Sequence, residues 1–214
     1  MAHVQIINSS NSHLFEDLLE QTYRLRHQVF VEERGWRDLA RPDGREIDQF
    51  DDEAATYLIA VDGDRVVGGQ RLYPSTRPHM MSEVFSHLVQ RDLPVGPDIV
   101  EVTRYFVAKE RRFGRTDCMM LAAVMEYCLD EGISAMTAVV EMWWLPRWQQ
   151  AGFVTRPLGL PVEIEGQDCL AVEILVREET LARVSRLAGL KGSVLRRTGL
   201  ATDEAALRLS SRQS

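Results

Sequence analysis

The chain has 214 residues, 45% hydrophobic and 27% charged, with a formal net charge of −7. That size suits one domain with a sizeable core, or one domain plus a tail, and the mix is that of an ordinary soluble globular protein. The acidic balance removes any general pull toward nucleic acid, and no stretch of about 18 apolar residues exists to insert into a membrane.

In chain order, Val4 to Ile7 read as a first strand, and Asn8 to Ser12 supply turn and cap residues for a long helix with Leu14, Leu18, Leu25 and Val29 on one face. That helix breaks near Gly35. Arg37 to Asp52 is a polar, turn-rich loop punctuated by Pro42-Asp43-Gly44, and loops of such length in compact domains are often functional. Ala54 to Val61 and Arg65 to Leu72 form a hairpin around Asp62-Gly63-Asp64. A short helix is predicted over Met80 to Gln90. Ile99 to Val107 reads as a strand with Val100, Val102 and Phe106 on one face and Glu101, Thr103 and Tyr105 on the other. Thr116 to Asp130 is an amphipathic helix ended by Gly132, Ser134 to Val140 a strand, Trp143 to Ala151 a short helix closing at Gly152, and Cys169 to Val176 a last strand. Beyond Arg177 the pattern is helical and more basic, with no strand signal. The expected organisation is a domain over 1–177 and a helical extension over 178–214. The alternation of strands and helices predicts an α/β (α+β) domain with helices covering a central mixed sheet.

Cys118, Cys128 and Cys169 have no metal-ligand spacing, so no metal is expected and the thiols read as small core residues of a reducing compartment. The N-terminal MAHVQIINSS lacks the basic start and apolar run of a secretory signal, and the expected location is cytoplasmic.

Three clusters can carry chemistry. The first runs from Arg26-His27-Gln28-Val29-Phe30 through Gly35-Trp36 to Ile47-Asp48-Gln49-Phe50-Asp51-Asp52. Aromatic faces attract cations and carboxylates hold ammonium groups, so this set suits a cationic ligand; it equally suits a solvated loop whose Phe30 and Trp36 plug the core. The second is Gly68-Gly69-Gln70-Arg71-Leu72, whose plainest reading is an edge-strand arginine with its head in water. The third is Glu101-Val102-Thr103-Arg104. Glu101 suits a general base, but positions 101 and 104 face opposite ways on a regular strand unless a bulge intervenes.

Together Arg26, Phe30, Trp36, Asp48, Asp51, Arg71, Glu101 and Arg104, in the contexts RHQVF, GW, IDQFDD, GGQRLYP and EVTRYFV, resemble the signature of the acyl-homoserine-lactone synthase family, from about Leu14 to Val176. The resemblance implies a GNAT-like three-layer α/β/α sandwich, with the acyl-pantetheine arm in a V-shaped gap between Ile99–Val107 and Ser134–Val140. It implies an acyltransferase of quorum sensing: the amine of S-adenosylmethionine attacks an acyl thioester, and the methionyl carboxylate then displaces methylthioadenosine to close a lactone. Arg26, Phe30, Trp36, Asp48, Asp51, Arg71 and Arg104 would hold S-adenosylmethionine, with Phe30 and Trp36 on the sulfonium and adenine, Asp48 at the amine, and Arg26 and Asp51 as braces. Glu101 would be the base, directly or through water; Arg71 or Arg104 would orient the carboxylate. Backbone N–H groups around Tyr105-Phe106 would meet the oxyanion, and Tyr105, Phe106, Trp143 and Trp144 would form the acyl pocket. No cofactor is implied beyond the two substrates.

RPDGRE at 41–46, MMSEVF at 80–85 and the run Glu141-Met142-Trp143-Trp144-Leu145-Pro146-Arg147 look like the branch of the family that uses acyl-CoA. Many long-chain members carry threonine or serine near the positions of Val140 and Glu141. The implied donor is therefore a short branched, isovaleryl-like or aryl acyl-CoA. The alternative donor is a fatty acyl carrier protein, for which Arg111, Arg112, Arg115 and Arg147 offer a basic patch. The stretch after Val107 is a basic turn without a glycine-rich pyrophosphate loop. Two rival classes remain: a GNAT acyltransferase that makes a free amide from another amine, and a non-catalytic domain that binds S-adenosylmethionine without turnover.

Overall fold

The computed structural model describes residues 2–112 and 114–200. Strand β1 (His3–Ile7) is followed by helix α1 (Glu16–Arg26), which passes directly into a π-helical segment, His27–Glu33. The single long helix read from the periodicity is thus two segments of different winding. The wider turn buries both Val29 and Phe30, two adjacent residues that a regular helix would separate by about 100°. The Arg37–Asp52 loop carries only a short 3₁₀ turn, Arg37–Leu39, and is pinned to α1 where Glu46 N–H donates to the Tyr23 carbonyl at 3.0 Å.

The hairpin β2 (Thr56–Asp62) and β3 (Arg65–Pro74) leads to the one-turn helix α2 (Met80–Glu83) and a 3₁₀ turn, Ser86–Leu88, where one short helix is predicted over Met80 to Gln90. Then follow β4 (Ile99–Val107), α3 (Arg115–Asp130), β5 (Ala135–Glu141), α4 (Trp144–Ala151), β6 (Val154–Pro157), β7 (Val162–Ile164), β8 (Gln167–Leu175), α5 (Glu178–Leu187) and β9 (Leu195–Arg196). Among the described residues these strands form one mixed sheet in the order β6-β8-β5-β4-β3-β2-β1-β9, with β7 also on β8.

Helices cover both faces. Val4, Ile6, Leu58, Val67 and Leu72 pack with Met120, Val124 and Met125 of α3 and Val184 of α5. On the opposite face Ile7, Ile59, Val61 and Val66 pack with Val29, Phe30 and Phe50. This is the three-layer arrangement expected. The segment after Arg177 docks rather than stands apart, because α5 joins the first core and β9 pairs with β1 in parallel through Val4↔Leu195 and Gln5↔Arg196. That strand corrects the reading of a tail without strands; residues 201–214 of the extension lie outside the described residues. No helix among the described residues is long and apolar enough to cross a membrane.

Candidate active site

The site sits where two central strands part. β4 and β5 pair in parallel only from Ile99↔Ala135 to Glu101↔Thr137. Beyond that point a cavity separates them, lined by Val102, Tyr105, Ala138, Val140, Trp144 and Phe153 among others. From Val102 onward β4 has no ladder partner on β5, which leaves that edge of backbone to the cavity.

A bulge decides which β4 side chains meet. Arg104 has φ of 53°, a left-handed conformation that a residue with a Cβ adopts at a cost of about 1–3 kcal/mol, and the β3–β4 register shifts between Gly69 and Arg71. The extra residue brings Glu101, Thr103 and Arg104 to the same cavity. It also overturns the expected alternation. Val100, Val102 and Tyr105 pack on the α3 side, whereas Phe106 turns to the other face, edge-on to Phe30 with centroids 6.5 Å apart. Phe106 is therefore a wall behind Phe30 and not part of the cavity lining. Gly69 makes room for it: a Cβ there would lie 2.8 Å from the Phe106 ring.

Behind the cavity lies a buried network of alternating charge. Arg26 donates to Glu46 at 2.6 Å and holds both oxygens of Asp51 at 2.7 and 2.9 Å. Arg71 holds both oxygens of Asp48 at 2.6 and 3.1 Å, reaches Asp51 at 2.9 Å and donates its Nε to Thr103 at 3.1 Å. Arg104 contacts Glu46 at 3.1 Å and Asp48 at 2.7 Å. Three guanidinium groups thus meet three carboxylates, with Arg26 and Arg71 each 1% exposed. Burial works against each charge; the partners dominate at Arg26 and Arg71, held above the usual guanidinium range, and at Asp51, held well below the usual carboxylate range, whereas at Arg104 burial outweighs Glu46 and Asp48 and draws the guanidinium below its usual range. Tyr57 O–H donates to Asp51 at 2.8 Å, and burial and that carboxylate push its phenol up.

This geometry separates residues that the sequence left grouped. Arg71 is no edge-strand arginine, since β3 lies between β2 and β4 and its guanidinium is engaged on every side. Arg104 borders the cavity, and among the described residues its Nη1 hydrogen-bonds only to the Met80 sulfur, at 3.4 Å. Of the two, Arg104 is placed to meet a ligand carboxylate. Asp48, expected at the amine, already accepts from Arg71 twice, from Arg104 and from Phe50 N–H at 2.9 Å, which fills its four lone-pair positions. It thereby bridges the two arginines. Glu46, 1% exposed, is not among the residues the sequence singles out, although buried Arg26 and Arg71 and half-buried Arg104 beside two aspartates call for a third anion and Glu46 stands in the same loop.

Glu101 is 1% exposed and accepts two backbone N–H bonds, from Met80 at 2.9 Å and Met81 at 2.7 Å. Burial raises its carboxyl above the usual range; the His79 charge, the two N–H donors and Arg71 pull the other way. A buried, slightly basic carboxylate at the mouth of the strand gap suits proton abstraction near neutral pH.

Aromatic groups frame both ends. Phe30 and Trp36 stack with centroids 5.2 Å apart and planes 6° from parallel, and Arg34 lies over both rings while pairing with Glu141 at 3.0 Å across the cavity. At the other end Trp144 lines the cavity, edge-on to Tyr105 at 5.3 Å. Tyr105 O–H bonds to Asp117, which also pairs with Arg147. Trp143 is 45% exposed and stacks on the back of Trp144 at 4.6 Å, so only one of the tandem tryptophans is a cavity wall.

A profile of the autoinducer synthase family matches residues 10–184. The chain belongs to that family. It is 53% identical over 179 residues to the isovaleryl-homoserine lactone synthase of Bradyrhizobium diazoefficiens, covering 83% of this chain and 82% of the relative. Its fold superposes with a TM-score of 0.90 on the CoA-dependent acyl-homoserine lactone synthase BjaI solved with S-adenosylmethionine and isopentyl-CoA, at 50% identity, covering 93% of this chain and 94% of that one. A Lactobacillus plantarum structure assigned as an N-acetyltransferase superposes with a TM-score of 0.56 at 19% identity over 82% of this chain and 99% of that chain, which makes the fold GNAT-like.

Proposed function

We propose that the protein acylates S-adenosylmethionine from a short branched acyl-CoA of isovaleryl type and closes the product to an N-acyl-homoserine lactone. The observation that carries this reading is the meeting of Glu101 and Arg104 at the point where β4 and β5 part, with an apolar cavity on one side and the Phe30–Trp36 pair on the other. The 53% identity to a synthase named for the isovaleryl product supports the donor.

In the first step Glu101 takes a proton from the ammonium group, directly or through water. The amine nitrogen then bonds to the thioester carbonyl carbon. β4 backbone N–H groups around Tyr105-Phe106 meet the oxyanion, and the carbon–sulfur bond breaks to release CoA as the thiolate, which takes up the proton that the acylated nitrogen loses on becoming the amide. In the second step the methionyl carboxylate, aligned by Arg104, bonds to the γ-carbon as the carbon–sulfonium bond breaks and methylthioadenosine leaves. This step needs alignment more than activation, because the sulfonium is already a good leaving group. Phe30 and Trp36 face the sulfonium and adenine. Arg26, Asp51, Arg71, Asp48 and Glu46 hold Arg104 and the loop in place. Tyr105 and Trp144 close the acyl end to a short chain.

The test is to incubate the purified protein with S-adenosylmethionine and a panel of thioesters of CoA and of acyl carrier protein, then to detect lactone by mass. The reading predicts highest turnover with a short branched acyl-CoA. Absence of lactone with every thioester overturns it, and preference for carrier-protein thioesters overturns the donor assignment.

A further inference from the structure

We propose that Gln70 is a specificity-determining residue: its side-chain amide is a polar stop on the α3 side of the acyl cavity, so that a short apolar chain ends before it and a longer one must cover it. The inference rests on the reading of the cavity as the acyl site. Gln70 stands on β3 opposite Leu58 of β2, and both Leu58 and Leu72, two residues further along β3, belong to the core under α3. It is 3% exposed and lines the cavity beside Leu121, Val124, Met136 and Ala138, all apolar. An amide on such a wall gives up bonds to water, and an amide carries two ends to satisfy.

One end serves the fold. Gln70 Nε2 donates to the Met120 carbonyl at 3.2 Å and ties α3 to the sheet. A carbonyl oxygen only accepts, so the nitrogen must stand on that side and Oε1 on the other. No donor among the described residues bonds to Oε1. The other polar atoms on this side of the cavity do not serve as its acceptor: Tyr105 O–H is held by Asp117, and Trp148 Nε1 is buried and can only donate. Methylene groups laid over Oε1 cut it off from water and supply no donor, and an acceptor buried unpaired weakens binding about tenfold or more. Trp144 thus limits the acyl chain by volume and Gln70 by polarity. A chain that carries a hydroxyl at the right depth escapes the second limit, because its O–H donates to Oε1.

Gln70→Met removes the amide at nearly the same length. The ratio of kcat/KM for octanoyl-CoA to that for isovaleryl-CoA is expected to rise about tenfold. Gln70→Glu also loses the Met120 bond but keeps an acceptor, and its ratio is expected within about twofold of wild type. An unchanged ratio in Gln70→Met overturns the proposal. An equal rise in both variants assigns the effect to a loosened α3 and overturns it as well.

A comparison on the unmutated protein covers the case in which the variants do not fold. The ω-hydroxy derivatives of hexanoyl-, heptanoyl- and octanoyl-CoA are each set against the parent thioester. At one chain length the hydroxyl reaches Oε1, and the hydroxylated thioester is used about tenfold better than its parent. A parent used as well or better at every length overturns the proposal. Lactone from no thioester at all overturns the reading of the cavity and this inference together, whereas lactone from isovaleryl-CoA with unmoved ratios overturns this inference alone.

Discussion

Glu46→Gln isolates the anion that the buried network cannot replace. The carboxylate is 1% exposed and is shared by Arg26 at 2.6 Å and Arg104 at 3.1 Å. The glutamine keeps the shape and removes the charge, leaving three guanidinium groups against two carboxylates. Breaking a buried ion pair by removing one partner costs about 3–5 kcal/mol, because the remaining charge keeps its desolvation cost. Asp51 still grips Arg26 through two bonds, which places the loss toward the lower half of that range. For a chain of this length each kcal/mol moves Tm by about 2–4 °C, so a fall of roughly 6–16 °C is expected by calorimetry. Arg104 retains Asp48 at 2.7 Å and swings toward it, so the KM for S-adenosylmethionine rises as well. A Tm within about 2 °C of wild type and an unchanged KM would refute the claim that Glu46 completes the network.

Three other outcomes follow from the same geometry. Asp51 titrates lower folded than unfolded, so its contribution to stability is complete above about pH 4 and is lost as pH falls toward the folded value; Asp51→Asn is less stable at neutral pH and flatter below about pH 4, and a variant as acid-sensitive as wild type contradicts this. Gly69→Ala puts a Cβ 2.8 Å from the Phe106 ring, which must press on Phe30; about 1–3 kcal/mol of stability is lost and the KM for S-adenosylmethionine rises, whereas unchanged calorimetry and kinetics contradict the wall assigned to Phe106. Trp144→Ala lowers kcat/KM for isovaleryl-CoA by about tenfold or more and admits longer acyl-CoAs, while Trp143→Ala changes it by less than about threefold; equal effects in a competition assay contradict the assignment of a single tryptophan to the cavity.

The strands that bury both faces were the most legible part of the sequence. β4 matches its expected bounds, and the hairpin of β2 and β3 and helix α3 lie within a few residues of theirs. Short or irregular pieces escaped. β7 has three residues and β9 two, too few to show a period, and β6 follows Gly152-Phe153 without a turn signal of its own. The π-helical turn at His27–Glu33 shares its apolar residues with an ordinary helix. The bulge at Arg104 carries no marker glycine, so alternation sent Phe106 to the wrong face. Within the site, the signature residues converge on one network and one cavity, yet their division of labour was not readable. Whether Arg71 or Arg104 meets the ligand depends on which one the fold saturates, and Glu46 acts through contacts with Arg26 and Arg104, which are far away in sequence.

The most direct measurement is the stoichiometry of products over the first turnovers with S-adenosylmethionine and isovaleryl-CoA. The account predicts free CoA thiol, methylthioadenosine and lactone in equal amounts. Release of CoA thiol with an open-chain amide and no methylthioadenosine would contradict it and leave a simple N-acyltransferase.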